Sequence, residues 1–142
     1  MSMTSQYISE DVGLGGLVKV DVAVLLATIS AILFGLSNIC YKLGIPPLDE
    51  FTLRKVTSLD FIAPLVTSKW VIAGVILTVI SGLFYIAALS QGEVVRVVAL
   101  LSLSYLVTAI MAYFFLGEPL TTFKIGGFGL IIIGIVLIHT GT

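Results

Sequence analysis

Long uninterrupted apolar runs constrain this chain more than any other feature. Four of them approach the length at which a helix crosses the hydrocarbon core of a bilayer, about 20 residues with a range of roughly 17 to 25. They cover about Val22 to Tyr41, Trp70 to Leu89, Val97 to Leu116 and Phe123 to Ile138. The second run has an alternative start near Phe61, and the fourth is short, with Lys124 placed to snorkel toward the interface. In lipid every backbone N–H and C=O must be satisfied inside the protein, which leaves only helices and closed barrels. Barrel strands alternate polar and apolar residues over about 10 positions, and these runs do not alternate. The expected fold class is therefore all-α integral membrane, a four-transmembrane-helix bundle. Composition agrees: 58% of the 142 residues are hydrophobic and 11% are charged, against roughly 25% charged in soluble domains.

The connections order the bundle. "SQGEV" links the second and third runs and "GEPLTT" links the third and fourth, and links this short make antiparallel neighbours. Pro119 is expected to open the fourth helix, since its missing N–H has no partner in a first turn. The link between the first and second runs is long and carries Pro46, Pro47 and Pro64 as breaks, with Asp49, Glu50, Arg54, Lys55 and Asp60 holding it in water or at the headgroups. Its part around Phe51 to Leu59 is expected on the membrane surface. Size allows one compact domain over residues 1–142. The first residues are polar, glycine-bearing and without a basic n-region, so the first membrane helix is expected to act as its own insertion signal. Lys42, Arg54, Lys55, Lys69 and Lys124 flank one side of the membrane and Lys19 and Arg96 the other. The positive-inside rule then sets both chain ends outside, by a margin small enough that insertion in both orientations stays open.

Small residues recur at helical spacing, as expected where membrane helices meet closely. The stripes are Ala23, Ala27, Ala31 and Gly35 in the first helix; Gly74, Thr78 and Gly82 in the second; Ser104, Thr108 and Ala112 in the third. The fourth has Gly127 and Gly134, with Gly126 and Gly129 beside them. Internal packing is the ordinary reading of any one stripe and subunit contact the other, with the fourth helix the best dimerisation candidate because a terminal helix has a free face. Ser30, Ser37 and Tyr41 share a face of the first helix. Ser30 is expected to bond its own backbone. Asn38 needs amide partners in a low-dielectric site and either lines a cavity or packs. Lys42 closes the helix.

Charges are few, and net charge is −1. That leaves no basic face for nucleic acid. Glu93 and Arg96 stand three apart at the mouth of the third helix, the spacing of neighbours on one face, with Glu93 in a first turn where the helix dipole favours a carboxylate. Either they form an interfacial ion pair or they face a polar cavity. In a cavity Arg96 would hold a phosphate or carboxylate and Glu93 a cation or proton. Glu118 is expected as an end-cap near the fourth helix, and His139 at the interface. Cys40 is the single cysteine and cannot form an internal disulfide. No His/Cys/Asp cluster with metal spacing, phosphate loop or nucleophile elbow is visible, so neither an enzyme nor a metal or other cofactor is expected.

"YIAALSQGEVVRVVALLSLSYLVTAIMAYFFLGEPLTTFKIGGFGLIIIGIVLI", residues 85–138, resembles the half-domain of the drug/metabolite transporter superfamily, EamA type. The features that carry this are "AALSQGE", "LLSLSYLVTAIMAYFFLGE", the following "LT" and a glycine-rich last helix; "LFGLSNICYKLG", 33–44, resembles that family's first helix. Members usually carry two such units, whereas this chain has one, similar in size to the small multidrug resistance proteins, which work as antiparallel dimers. The resemblance implies a half-transporter that dimerises to supply the inverted repeat of alternating access. It does not extend to proton-coupled export of cationic drugs. Where those small proteins have a membrane-embedded glutamate, eight residues before Lys42, this chain has Phe34, and where they have aromatics in the third helix it reads "RVVAL". A metabolite carrier or a flippase subunit for a phosphate-bearing lipid suits Arg96 better.

The sequence therefore leads to a small multi-pass transporter of the cell membrane, a homodimer or a heterodimer with a related short subunit, moving a metabolite, drug-like or lipid-linked solute. Glu93, Arg96, Asn38, Tyr41 and Tyr105 are the expected substrate-binding residues. The alternative is a non-transporting structural or accessory subunit of a larger membrane complex.

Overall fold

The computed structural model describes residues 14–45 and 59–141. Six helices are present among them: α1 Leu14–Gly44, α2 Leu59–Thr67, α3 Lys69–Gln91, α4 Val94–Leu101, α5 Leu103–Leu116 and α6 Thr122–Thr140. Together they form four spans long and apolar enough to cross a membrane: Val22–Gly44, Lys69–Gln91, Val94–Leu116 and Thr122–Thr140. The described residues form an all-α, multi-pass membrane bundle without strands.

Three boundaries differ from the sequence reading, each for a local reason. α1 begins eight residues before Val22; the added stretch, LGGLVKVD, has no proline to stop it. The third span is not one helix: it breaks at Ser102 between α4 and α5. The Ser102 hydroxyl donates to the carbonyl of Ala99. Its N–H also turns to Ala99 (3.2 Å), and Tyr105 N–H bonds Ser102 O (3.1 Å). These three-residue steps tighten the helix locally, as serine back-bonding does. Pro119 does not open α6, whose N-cap is Thr121. The turn before it is set by Gly117, in the left-handed conformation at φ 67°, which ends α5 as helix-terminal glycines do.

The long link is described only from Leu59. Residues 46–58, including Pro46, Pro47 and the expected surface segment from Phe51, lie outside the described residues. Pro64 falls inside α2 instead of breaking the chain. In so short a helix it costs one backbone bond. Only Ser68, in an extended conformation, separates α2 from α3, and the span starts at Lys69, beside Trp70, not near Phe61.

Packing centres on α1. It lies mainly against α3 and then against α5 and α4. The small-residue face of α1 packs inward: Ala23, Ala27, Ala31 and Gly35 are all buried. At Gly35 the approach is so close that a Cβ would lie 2.7 Å from Val107 Cβ and 3.0 Å from the Ser104 carbonyl. Ala27 meets Ala88, Val97 and Leu100 in the core, with Tyr85 and Ile135 packed around them. On α3 the packed face is Gly74, Ser81 and Ala88, seven apart, not Gly74, Thr78 and Gly82. A Cβ on Gly82 meets nothing within 4 Å, because that position has rotated toward the edge of the contact.

Ser30 and Ser81 join α1 to α3. Ser30 Oγ donates to Ser81 O (3.0 Å) and Ser81 Oγ to Ser30 O (2.9 Å), with the two hydroxyls 3.1 Å apart. Both side chains are buried. Ser30 is structural, as its sequence context suggests, but its partner is not its own backbone. It bonds across helices because α3 presents a carbonyl and a hydroxyl at the same depth. Ser37, equally buried, does bond its own helix, at Phe34 O (2.8 Å).

α6 differs from the rest. It buries no residue, rests more on α4 than on α5, and none of Gly126, Gly127, Gly129 and Gly134 has a neighbour within reach of an added Cβ.

Two stability measurements follow from this packing. Gly35→Ala should destabilise the purified protein by roughly 1–3 kcal/mol, the range for overpacking, while Gly82→Ala stays within about 0.5 kcal/mol. Equal melting temperatures for the two would contradict the packing described. A double-mutant cycle with Ser30→Ala and Ser81→Ala should give a coupling energy of roughly 0.6–1.7 kcal/mol; strict additivity would remove the reciprocal pair.

Candidate functional site

The five expected residues fall in separate places. Glu93 and Arg96 sit where α3 turns into α4, at the end of the bundle that holds Ala23. The turn is tight because Gly92 lies against α1, where a Cβ would come within 2.7 Å of Ala23 Cβ. Asn38 lies 15 residues further along α1, roughly 22 Å away at 1.5 Å per residue. Tyr105 is on α5, beyond the Ser102 break.

At the first place Arg96 Nε stands 3.2 Å from Glu93 Oε2. Glu93 is exposed and Arg96 half-buried. Glu93 is the N-cap residue of α4 rather than part of its first turn, and its carboxylate makes no capping bond; it turns to the guanidinium instead. The cavity beside the pair, bounded by Ala23, Val24, Gly92, Val97 and Leu100, holds about 20 Å³. That is room for a water molecule, not for a solute.

At the second place the polar residues of α1 are held by hydroxyls. Asn38 Nδ2 donates to Thr108 Oγ1 (3.1 Å). Thr108 Oγ1 in turn donates to Ser104 O (2.8 Å) and approaches Gly35 O (3.3 Å). Tyr41 Oη and Thr78 Oγ1 are 2.8 Å apart, and the Tyr41 ring covers Gly74 so closely that a Cβ there would lie 2.8 Å from Cε1. Asn38 thus ties α1 to α5, and Tyr41 ties it to α3. These bonds satisfy amide and phenol groups that would be costly unpaired at this depth. Lys42 is exposed at the helix end.

Tyr105 has a different environment. It is 64% exposed and lines a groove of about 280 Å³ between α5 and α6, with Thr108, Ala109 and Ala112 on one wall and Lys124 and Phe128 on the other. Glu118, Pro119 and Leu120 close the end of this groove. Glu118 is exposed and lies in the loop, three residues before the N-cap Thr121, so it does not cap α6. Lys124 Nζ reaches back to Pro119 O (3.1 Å). His139, at the exit of α6, directs Nδ1 toward Ile135 O (2.9 Å).

A second, smaller space of about 160 Å³ lies between α1, α3 and α4, walled by Ser30, Phe34, Thr78, Ser81, Gly82, Tyr85 and Leu101. Its serines are already bonded to each other, so it presents mainly rings and aliphatic groups. Among the described residues no three His, Cys, Asp or Glu side chains gather where they could hold a metal ion.

Sequence reasoning missed Thr108, Thr78 and Ser81 as polar partners. Thr108 and Thr78 were visible only as small residues in packing stripes, although a threonine at mid-membrane depth facing an asparagine or tyrosine is the natural partner for it. The groove and its two charges were not legible, because they depend on how far α6 stands from α5.

No curated protein and no solved structure matches the chain. The model of the EamA-like transporter family matches residues 21–140, the stretch that holds all four spans and both polar places, and the chain belongs to that family.

Proposed function

We propose that this chain is half of a small transporter of the cell membrane, paired with a second unit of its kind, either another copy or a related short chain. The pair moves a small metabolite or a lipid-linked solute by alternating access. The observation that carries this reading is the open groove at Tyr105 and Thr108. One wall is the third span, the other is a fourth span that buries nothing, and among the described residues no helix closes it. A second unit laid against α6 would cover the exposed glycine face and set the groove beside the interface where repeats of secondary transporters bind their cargo.

The third span then carries polar stations at three depths: Glu93 and Arg96 near one mouth, Tyr105 and Thr108 in the middle, Glu118 near the other mouth. Asn38 supports the middle station through Thr108. Binding and release need no covalent chemistry here.

The Glu93–Arg96 contact beside a cavity of only about 20 Å³ favours a second reading, a non-transporting subunit whose charges merely pair at the surface. Flux separates the two. Purified protein in liposomes is tested for counterflow of radiolabelled amino acids and for translocation of a headgroup-labelled phospholipid. The transporter reading predicts flux of one class. Tyr105→Ala should cut it about tenfold, the effect of losing roughly 1.4 kcal/mol of binding, with helical content and assembly unchanged; Arg96→Ala should abolish it. Flux untouched by both substitutions, or no flux of either class, would leave the structural subunit.

A further inference from the structure

The groove between α5 and α6 has a length and a charge pattern that name its occupant more narrowly. Tyr105, Thr108, Ala109 and Ala112 form one face of α5 over two turns. Tyr105 lies 11 residues before Leu116, the end of the span, which is roughly 16 Å at helical rise. The hydrocarbon core is about 30 Å thick, so the groove runs from one edge of the membrane to about its midplane, the depth of a single leaflet. Its walls within that depth are alanine, phenylalanine, leucine and the faces of Tyr105 and Thr108, and its charged groups are confined to the edge: Glu118 and Lys124. Lys124 spends one donor on Pro119 O and has others to give.

We infer that this groove takes one hydrocarbon chain of a zwitterionic lipid entering sideways from the leaflet on the Lys42, Lys69 and Lys124 side. The lipid's ammonium lies against Glu118 and its phosphate against Lys124. The inference rests on the transporter reading for its purpose, since it makes the cargo or its entry an amphiphile, but binding is measurable apart from flux. A lone carboxylate at the edge would favour a cationic head and a lone ammonium an anionic one. The two together match a head that carries both, and the apolar depth excludes a free water-soluble zwitterion as the better ligand.

The test is native mass spectrometry of the purified full chain offered equal amounts of phosphatidylethanolamine and phosphatidylglycerol with identical chains. Retention should favour phosphatidylethanolamine by about fivefold, the ratio that one exposed charge contact supplies. Glu118→Gln, an exposed change in a loop, should erase that preference. Ala109→Leu, which fills the groove floor, should lose retention of both lipids with the helical signal intact. Equal retention of the two lipids by the native chain, an undiminished preference in Glu118→Gln, or displacement of the lipid by free phosphoethanolamine at equal concentration would each overturn the proposal. Retention as expected with no flux in liposomes would overturn the transporter reading alone. Flux of a soluble solute without lipid retention would overturn this inference alone.

Discussion

The structure depends on how closely α1 can approach its neighbours. Lipid offers no hydrophobic drive for helices to associate, so they hold together through tight packing and internally satisfied polar groups. One face of α1 supplies both. Ala23, Ala27, Ala31 and Gly35 bring the backbones of α3, α4 and α5 near. At that separation short side chains bridge helices: Ser30 to Ser81, Asn38 to Thr108, Tyr41 to Thr78. Longer residues on this face would open the gap and strand each of these groups without a partner.

The same economy explains why α6 stands apart. Among the described residues it has glycines but no side-chain hydrogen bond to another helix, and a Cβ added at Gly126, Gly127, Gly129 or Gly134 meets nothing within 4 Å. A helix that is apolar along its length and only lightly packed costs little in lipid, so the fold tolerates it. What the arrangement leaves is a groove whose one wall is held rigidly through Thr108 and Asn38, and whose other wall is the loosely held α6. A rigid wall against a movable one suits a path that opens and closes.

Much of this was legible in the sequence. The four spans follow from hydropathy and length, because backbone hydrogen bonding in lipid admits few alternatives. The α1 face follows from four small residues four apart. Other features depend on quantities that spacing does not contain. The rotation of α3 that buries Ser81 and leaves Gly82 half-buried depends on how α3 lies against α1. The Ser102 break comes with its hydroxyl bonded to the Ala99 carbonyl, a side-chain rotamer that spacing does not encode. Glu93 and Arg96 were read as neighbours and are neighbours, yet the sequence did not reveal that the space beside them is water-sized. Nor could spacing along the chain indicate that Glu118 and Lys124 share a groove with Tyr105, since that juxtaposition is made by the turn at Gly117.

The central claim is that one chain is an incomplete unit, finished by a second unit of the same kind across α6. The most direct measurement is the mass of the particle extracted from its native membrane in a detergent-free polymer disc. The account predicts a particle holding two four-span chains, either two copies or one copy and a related short chain. A particle holding a single chain, or this chain with an unlike and larger membrane protein, would contradict it.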